Sequence, residues 1–338
     1  MGPNSAGPAT FAAGAVAMAL AGGSGATSTL APAGLEAATI ARLFGIMAVG
    51  AVLVWAAVVG IALYAGLLRP QPHSRRTTRW LILGGGVLTP TLVLGALLLY
   101  GLVLMPQLRE PPPHHGLRIA VSGEQWWWRV RYLPAGAEST SLANGITLAN
   151  EIRLPVGERV EFILESPDVI HSFWIPSLAG KVDMIPGRTT TLVLEPTRTG
   201  TFGGVCAEYC GTSHALMRLV VVVMEREAFE TWLQRQAAPA SPPRSAIADV
   251  GQRAFLGNGC GACHAIRGTP AAGVVGPDLT HVGSRASLAA GILPNDAAAF
   301  RRWIGHTHAV KPEALMPPFG MLPEAEIEAI ALYLDGLQ

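Results

Sequence analysis

The sequence comprises 338 residues, half of them apolar and only 14% charged, with a formal net charge of +1. This length allows two or three domains, and the shortage of charge in the first 110 residues indicates membrane segments. The near-neutral charge and the lack of a basic stripe argue against nucleic acid as a partner.

Residues 1–38 form a segment rich in Ala, Gly and Ser, with no Lys or Arg before Arg42. Residues 11–21 have the length of a signal-peptide core, and the small residues that follow would suit cleavage. The positively charged region that normally precedes such a core is missing. Two interpretations therefore stay open, a leader and an outer N-terminal tail.

Two uncharged runs follow, 26 residues at 43–68 and 29 residues at 80–108. Each exceeds the roughly 20 residues that a helix needs to cross a bilayer. They predict a transmembrane helix hairpin over residues 39–108, whereas two buried core helices would rarely stay uncharged for so long. The connecting loop, residues 69–79, carries four arginines. Because positively charged loops stay in the cytoplasm, both ends of the hairpin are expected outside.

Residues 117–235 change to short β-rich runs that Gly, Pro and Asn interrupt. Such spacing predicts a small antiparallel β-sandwich. Residues 225–236 then predict a helix. The predicted strand runs are residues 118–132, 151–154, 159–164, 189–194 and 216–223.

A linker is predicted at residues 236–247, where the sequence AAPASPPR at 237–244 is typical of a flexible, partly extended segment. Residues 248–338 form the last predicted domain, which is all-α. Its short helices are predicted at residues 250–255, 294–304 and 323–337.

Two thiols, an imidazole and a thioether lie within twelve residues, at Cys206, Cys210, His214 and Met217, and His171 lies 35 residues before the first of them. Soft sulfur with imidazole selects copper or zinc, and a nearby methionine favours copper. A mononuclear blue-copper site needs one cysteine, so the second allows a second copper ion. A Cys₂His₂ zinc site would not need Met217, and the two cysteines are poorly placed for a disulfide.

The other two cysteines belong to the C-x-x-C-H sequence Cys260, Cys263 and His264, which is typical of covalent c-type haem attachment. Zinc and a redox-active dithiol are the alternatives. Met316 follows 52 residues after His264 and is the candidate second axial ligand, since methionine ligation raises the haem potential. Met321 competes for this position but lacks the following proline.

The cysteine segment reads C-x-E-x-C-G-x-x-H-x-x-M and resembles the binuclear CuA loop of cytochrome c oxidase subunit II. The sequences at residues 125–128, 170–176 and 181–188 agree with this resemblance, which covers residues 30–235. With the fused C-x-x-C-H domain, the chain resembles the caa3-type form of that family. The fold implied is a two-helix transmembrane hairpin, an all-β cupredoxin-like sandwich at residues 117–235 and an all-α c-type cytochrome at residues 248–338.

The resemblance also implies roles for individual residues. In the family the first aromatic residue of the tryptophan run, here Trp126, lies at the surface over the copper site and receives the electron. Trp127 and Trp128 are then expected to be packing residues. The side chain of Glu208 is implied to reach a magnesium ion at the boundary with subunit I. The implied copper ligands are His171, Cys206, Cys210, His214, Met217 and the backbone carbonyl of Glu208.

The function implied is that of cytochrome c oxidase (EC 7.1.1.9): the chain accepts electrons through haem c and CuA and passes them to subunit I. Oxygen is reduced there, coupled to proton translocation. The implied partners are subunits I and III, a soluble or membrane cytochrome donor and lipid. The implied location is the bacterial inner membrane, with the cofactor domains on the periplasmic side.

Three other classes of protein share some of these features. The small subunit of a CuA-containing nitric oxide reductase would look alike. Nitrous oxide reductase shares the copper motif, but the helix hairpin argues against it. The subunit II of quinol oxidases has the same sandwich but has lost the copper ligands.

Overall fold

The computed structural model describes residues 27–68, 74–110, 116–134 and 145–338. Two compact units are present, one formed by residues 39–111 and the other by the rest of the chain. The candidate signal-peptide core at residues 11–21 lies outside the described residues.

The unit at residues 39–111 consists of apolar helices. Two continuous stretches, Leu35–Leu68 and Arg75–Pro106, are long and apolar enough to cross a membrane. The second begins five residues before the predicted Trp80, because Ser74 caps it by accepting a hydrogen bond from Thr77 N at 3.1 Å. Three of the four loop arginines therefore lie in a helical turn. The helices are α1 (Leu35–Leu63, with a π-helical end at Tyr64–Leu68), α2 (Arg75–Trp80), a π-helical stretch at Leu81–Leu88, and α3 (Thr89–Arg109).

The described part of the predicted N-terminal tail, residues 27–38, packs on the sandwich. Ala33 is fully buried in the sandwich core, and its amide donates to Ser177 O at 2.6 Å. The buried carboxylate of Glu36 accepts a hydrogen bond from Glu195 N at 2.8 Å. This stretch is therefore a part of the folded domain and not a loose tail.

The β-sandwich has two five-stranded sheets with strand orders β3-β2-β1-β5-β8 and β4-β10-β9-β6-β7. Side chains that alternate between buried and partly buried fill the space between them, as a two-layer fold requires. The largest are Trp128, Phe162 and Phe173. The strands are β1 (Arg118–Glu124), β2 (Trp127–Tyr132), β3 (Ile146–Ala149), β4 (Glu151–Pro155), β5 (Val160–Glu165), β6 (His171–Trp174), β7 (Val182–Met184), β8 (Thr190–Leu194), β9 (Gly200–Cys206) and β10 (Arg218–Met224).

The prediction of an antiparallel sandwich is wrong in part, because β1 pairs with β5 and β4 pairs with β10 in parallel. The predicted run at residues 118–132 is two strands, β1 and β2, joined by a turn. The predicted runs miss β3, β6, β7 and β9.

After the sandwich come one connecting helix and a small helical domain. The first and last helices of that domain cross closely at Gly251, where a Cβ atom would lie 1.9 Å from Ala329 O. Phe255 and Tyr333 pack edge to face beside this crossing. The helices are α4 (Arg226–Ala237), α5 (Ala246–Gly257), α6 (Ala297–Gly305), α7 (Thr307–Val310) and α8 (Glu324–Asp335).

Candidate metal and haem sites

The loop between β9 and β10 carries the sulfur-rich motif. It leaves β9 at Cys206 and returns at Met217, where a hydrogen bond of 3.1 Å from Cys206 N to Met217 O closes it. Gly211 within the loop has φ +115°, and a Cβ atom there would lie 3.0 Å from the Trp126 ring. Both facts require glycine at this position. His171 reaches the loop from β6, which pairs with β9.

The donor atoms of the five predicted side-chain ligands converge on this loop. His171 Nδ1 lies 3.7 Å from Cys206 Sγ, and His214 Nδ1 lies 3.5 Å from Cys210 Sγ. The two sulfur atoms are 3.8 Å apart, and Met217 Sδ lies 3.9 Å from Cys210 Sγ. The sixth predicted donor, Glu208 O, is 3.2 Å from Cys206 Sγ.

This donor set fits a binuclear copper centre. Both cysteines are free and buried, and their sulfur separation is far from the 2.0 Å of a disulfide. Each sulfur has one imidazole nitrogen beside it, so the set could offer a nitrogen ligand to each of two ions. The buried Met217 thioether belongs to the cluster, although a Cys₂His₂ zinc site would have no use for it.

The cluster already favours a thiolate. The hydrogen bond between the two sulfur atoms lowers the pKa of Cys206 well below the usual thiol range, and His171 contributes to the same effect. The same contact with Cys206, together with burial, raises the pKa of Cys210. One thiol is therefore stabilised as an anion, which is the form that binds a metal.

Asp168, which the motif reasoning did not single out, orients His171. Its Oδ1 lies 2.9 Å from His171 Nε2, so Nδ1 of the same ring is directed at the sulfurs. Its Oδ2 accepts a hydrogen bond from Gln125 N at 2.7 Å. Metal-binding histidines commonly donate their second ring N–H to a carboxylate. A carboxylate three residues before the candidate ligand His171 is the sequence feature that could have predicted this role of Asp168.

The C-x-x-C-H sequence forms a tight turn after α5. Gly259 has φ +75° and begins the 3₁₀ turn Cys260–Ala262, so that His264 N donates to Cys260 O at 3.0 Å. The His264 ring donates from Nδ1 to Pro277 O at 2.8 Å, which leaves Nε2 for an iron. A Cβ atom at Gly276 would lie 2.6 Å from the same ring, so the backbone there approaches it closely.

The cavity around this turn suits a haem. It is lined by Cys260, Cys263, His264 and Met316 among mainly apolar side chains. Burial lowers the pKa of His264, which favours the neutral, ligating imidazole. Met321 is 76% exposed and does not line the cavity, so its position supports Met316 as the axial candidate.

Trp126 lies between the two candidate sites. Its Nε1 donates to Cys210 O at 2.9 Å, and the residue also lines the haem cavity. It is only 5% exposed and belongs to the buried core of the sandwich, which corrects the expectation of a surface position. The helical domain also contacts it, since Lys311 Nζ donates to Trp126 O at 2.7 Å. Trp128 is fully buried, as expected of a packing residue. Trp127 is partly exposed and stacks under the Arg129 guanidinium.

The linker at residues 237–244 is not a free tether. Arg267 Nη2 donates to Gln236 O and Ala238 O, and His281 Nε2 lies 3.0 Å from Ala238 O. Ala240 N donates to Arg267 O at 2.9 Å. The prediction of flexibility from composition was wrong here, because residues of the helical domain bind the linker backbone.

Comparison with known proteins identifies both domains. The family described as "Cytochrome C oxidase subunit II, periplasmic domain" matches residues 117–224, and the family "Cytochrome c" matches residues 248–338. The cytochrome c oxidase subunit 2 of Branchiostoma floridae is 34% identical over 167 residues, which are 46% of this chain and 70% of that protein. The fold and the two sites therefore define a copper-domain subunit with a fused c-type cytochrome. This chain belongs to the cytochrome c oxidase subunit II family.

Bacterial relatives match a longer part of the chain. The cytochrome c oxidase subunit 2 of Alkalihalophilus pseudofirmus is 36% identical over 233 residues, which are 68% of this chain and 65% of that protein. A crystal structure of the periplasmic domain of subunit II of cytochrome oxidase from Bradyrhizobium japonicum is 31% identical. It covers 37% of this chain and 96% of that structure, with a TM-score of 0.31. The chain thus spans slightly less than two thirds of the length of the bacterial relative.

Proposed function

We propose that this chain is the subunit of a haem–copper cytochrome c oxidase that accepts electrons and passes them to subunit I for oxygen reduction and proton translocation (EC 7.1.1.9). The observation that carries the proposal is the position of Trp126, which touches the copper loop and lines the haem cavity. Haem c and CuA, when bound, each take up and release one electron. The oxygen-reducing site belongs to subunit I.

The sulfur-rich loop would hold copper. His171 and His214 would each supply Nδ1, Cys206 and Cys210 their thiolates, and Met217 its thioether, and Glu208 O lies beside Cys206 Sγ. Asp168 keeps the His171 ring in the orientation that ligation needs. Burial of the thiols excludes water and oxidants from them.

The C-x-x-C-H turn would hold haem c through thioethers to Cys260 and Cys263. His264 would be one axial ligand, since its hydrogen bond to Pro277 O fixes the tautomer that leaves Nε2 free. Met316 would be the other axial ligand and would keep the potential high enough for electron transfer from a cytochrome donor.

Membership of the family supports a proposal for the wider assembly. The exposed carboxylate of Glu208 is available for a magnesium ion shared with subunit I. Subunit III, lipid and a soluble or membrane cytochrome donor complete the expected partners. The helix hairpin would span the bacterial inner membrane, with residues 117–235 and 248–338 as cofactor domains on the periplasmic side and residues 236–247 as their linker.

Metal and haem analysis of the purified full-length chain tests the assignment. We expect two copper ions and one covalent haem per chain, with an electron paramagnetic resonance signal of mixed-valence copper. Cys206→Ser should remove the copper signal and leave the covalent haem, because the two sites share no ligand. Cys263→Ser is the matched control, and it should weaken haem attachment and leave both copper ions.

One zinc ion and no copper per wild-type chain would contradict the copper site. Activity of the purified complex tests the reaction itself. We expect oxygen uptake with reduced cytochrome c; reduction of nitric oxide without oxygen uptake would point instead to the nitric oxide reductase class.

A further inference from the structure

The face between the copper domain and the cytochrome domain contains a buried lysine. Lys311 is 3% exposed, and its Nζ donates to Trp126 O at 2.7 Å and to Ala289 O at 3.1 Å. The first acceptor belongs to the copper domain and the second to the cytochrome domain. Lysine is almost never fully buried without partners, because removing its charged group from water is costly. Burial accordingly lowers the pKa of Lys311 to about 7.

The position of this lysine connects the two cofactor sites. Lys311 binds the backbone of Trp126, whose ring donates to Cys210 O in the copper loop. Lys311 also precedes the candidate haem ligand Met316 by five residues, and both line the haem cavity. A shift of Lys311 would therefore move the methionine segment relative to Trp126.

Strained backbone supports the same contact. Ala289 and Ala290 have φ angles of +53° and +63°, and Gly291 follows with φ +80°. Alanine rarely adopts this conformation, which persists only where surrounding contacts hold it. Lys311 Nζ donates to Ala289 O within the cytochrome domain. Arg218 N of the copper domain donates to Ala290 O across the boundary between the two domains.

Other hydrogen bonds cross this face. Ser213, next to the candidate ligand His214, donates from Oγ to Pro312 O at 2.6 Å. Ala286 N donates to Glu151 Oε2 at 2.6 Å. Together with the fixed linker, these contacts favour one docked orientation of the cytochrome domain over a swinging one.

We propose that Lys311 is a positioning residue that holds the cytochrome domain over Trp126, so that the haem and the copper keep one fixed separation. The inference rests on the proposed function, because it concerns electron transfer between these two groups. Even a neutral amine at position 311 retains N–H donors for both carbonyls.

The first test uses the purified complex and its Lys311→Met variant, which keeps the aliphatic side chain and removes the donors. After photoreduction of the haem, we expect its electron transfer to copper to slow by about 10- to 100-fold, as small misplacements of reacting groups do. The midpoint potentials of haem and copper are measured in the same variants, and the internal rate should fall by more than any change in potential accounts for. Lys311→Arg should restore part of the rate.

The matched control is Lys181→Met. Lys181 and Lys311 are the only lysines in the sequence, and the side chain of Lys181 is 47% exposed. An unchanged internal rate in Lys311→Met would overturn the proposal, whereas absence of this electron transfer in the wild type would overturn the proposed function.

The second test needs no variant and no turnover. An amine-acylating reagent is applied to the intact wild-type complex, and peptide mass spectrometry compares Lys311 with the same peptide in the denatured chain. We expect Lys311 to resist modification in the intact complex. Modification as fast as in the denatured chain would show that the lysine is free and the domain undocked, and it would overturn the proposal. This test does not depend on whether the Lys311→Met variant folds.

Discussion

The two methionines that compete for the haem iron differ in their surroundings. Met316 is partly buried in the haem cavity, whereas Met321 lies five residues further on and is exposed. We expect Met316→Leu to lower the haem midpoint potential, because loss of the thioether stabilises the oxidised iron. Met321→Leu, a change of the same size, should leave the potential near the wild-type value. Redox titration of the haem absorbance measures both, and a fall in Met321→Leu alone would reverse the assignment.

Single residues show what local spacing can and cannot predict. The copper donors lie within one loop apart from His171, so the motif was enough to expect them together. Lys311 and Trp126 are far apart in sequence, and no local pattern relates them. Only the packing of one domain on another brings a lysine to that carbonyl.

The two long apolar helices were predictable from composition, but the residue at which the second one begins was not. Long uncharged runs predict both spans, while the start of the second depends on Ser74, whose capping hydrogen bond lets three arginines become helical. The parallel pairing of β1 with β5 was missed, because alternation within a strand does not reveal its neighbour. The prediction of a flexible linker was wrong for a related reason. Arg267 and His281, which bind its backbone, lie outside the linker sequence.

The orientation of the hairpin gives a prediction at the same scale. The arginines of residues 69–79 should keep that loop in the cytoplasm. A phosphatase reporter, which is active only on the periplasmic side, should be inactive when inserted there and active when fused after residue 338. The reverse pattern would contradict the proposed side of electron input. Replacing the four arginines by glutamine should reduce the difference in reporter activity between these two positions.

For the whole molecule, the docked cytochrome domain has two opposite effects on Trp126. It brings a haem cavity to that residue, and it also occupies the space beside the residue, which is only 5% exposed in the intact chain. An outside cytochrome then has no direct access to Trp126 in the intact chain. The fused haem would therefore be the required route to the copper and not an accessory one.

Three forms of the complex separate these effects: the wild type, Met316→Leu, and a chain ended after Gln236. We expect the wild type to accept electrons from a soluble cytochrome c fastest and the Met316→Leu complex slowest, because its haem route is impaired while Trp126 stays covered. The shortened chain should be intermediate, since it has no haem c but also lacks the domain that occupies the space beside Trp126. Stopped-flow absorbance of the copper band gives the three rates. If the shortened chain were as fast as the wild type, the fused haem would be dispensable; if it were no faster than Met316→Leu, covering of Trp126 would not control access to the copper.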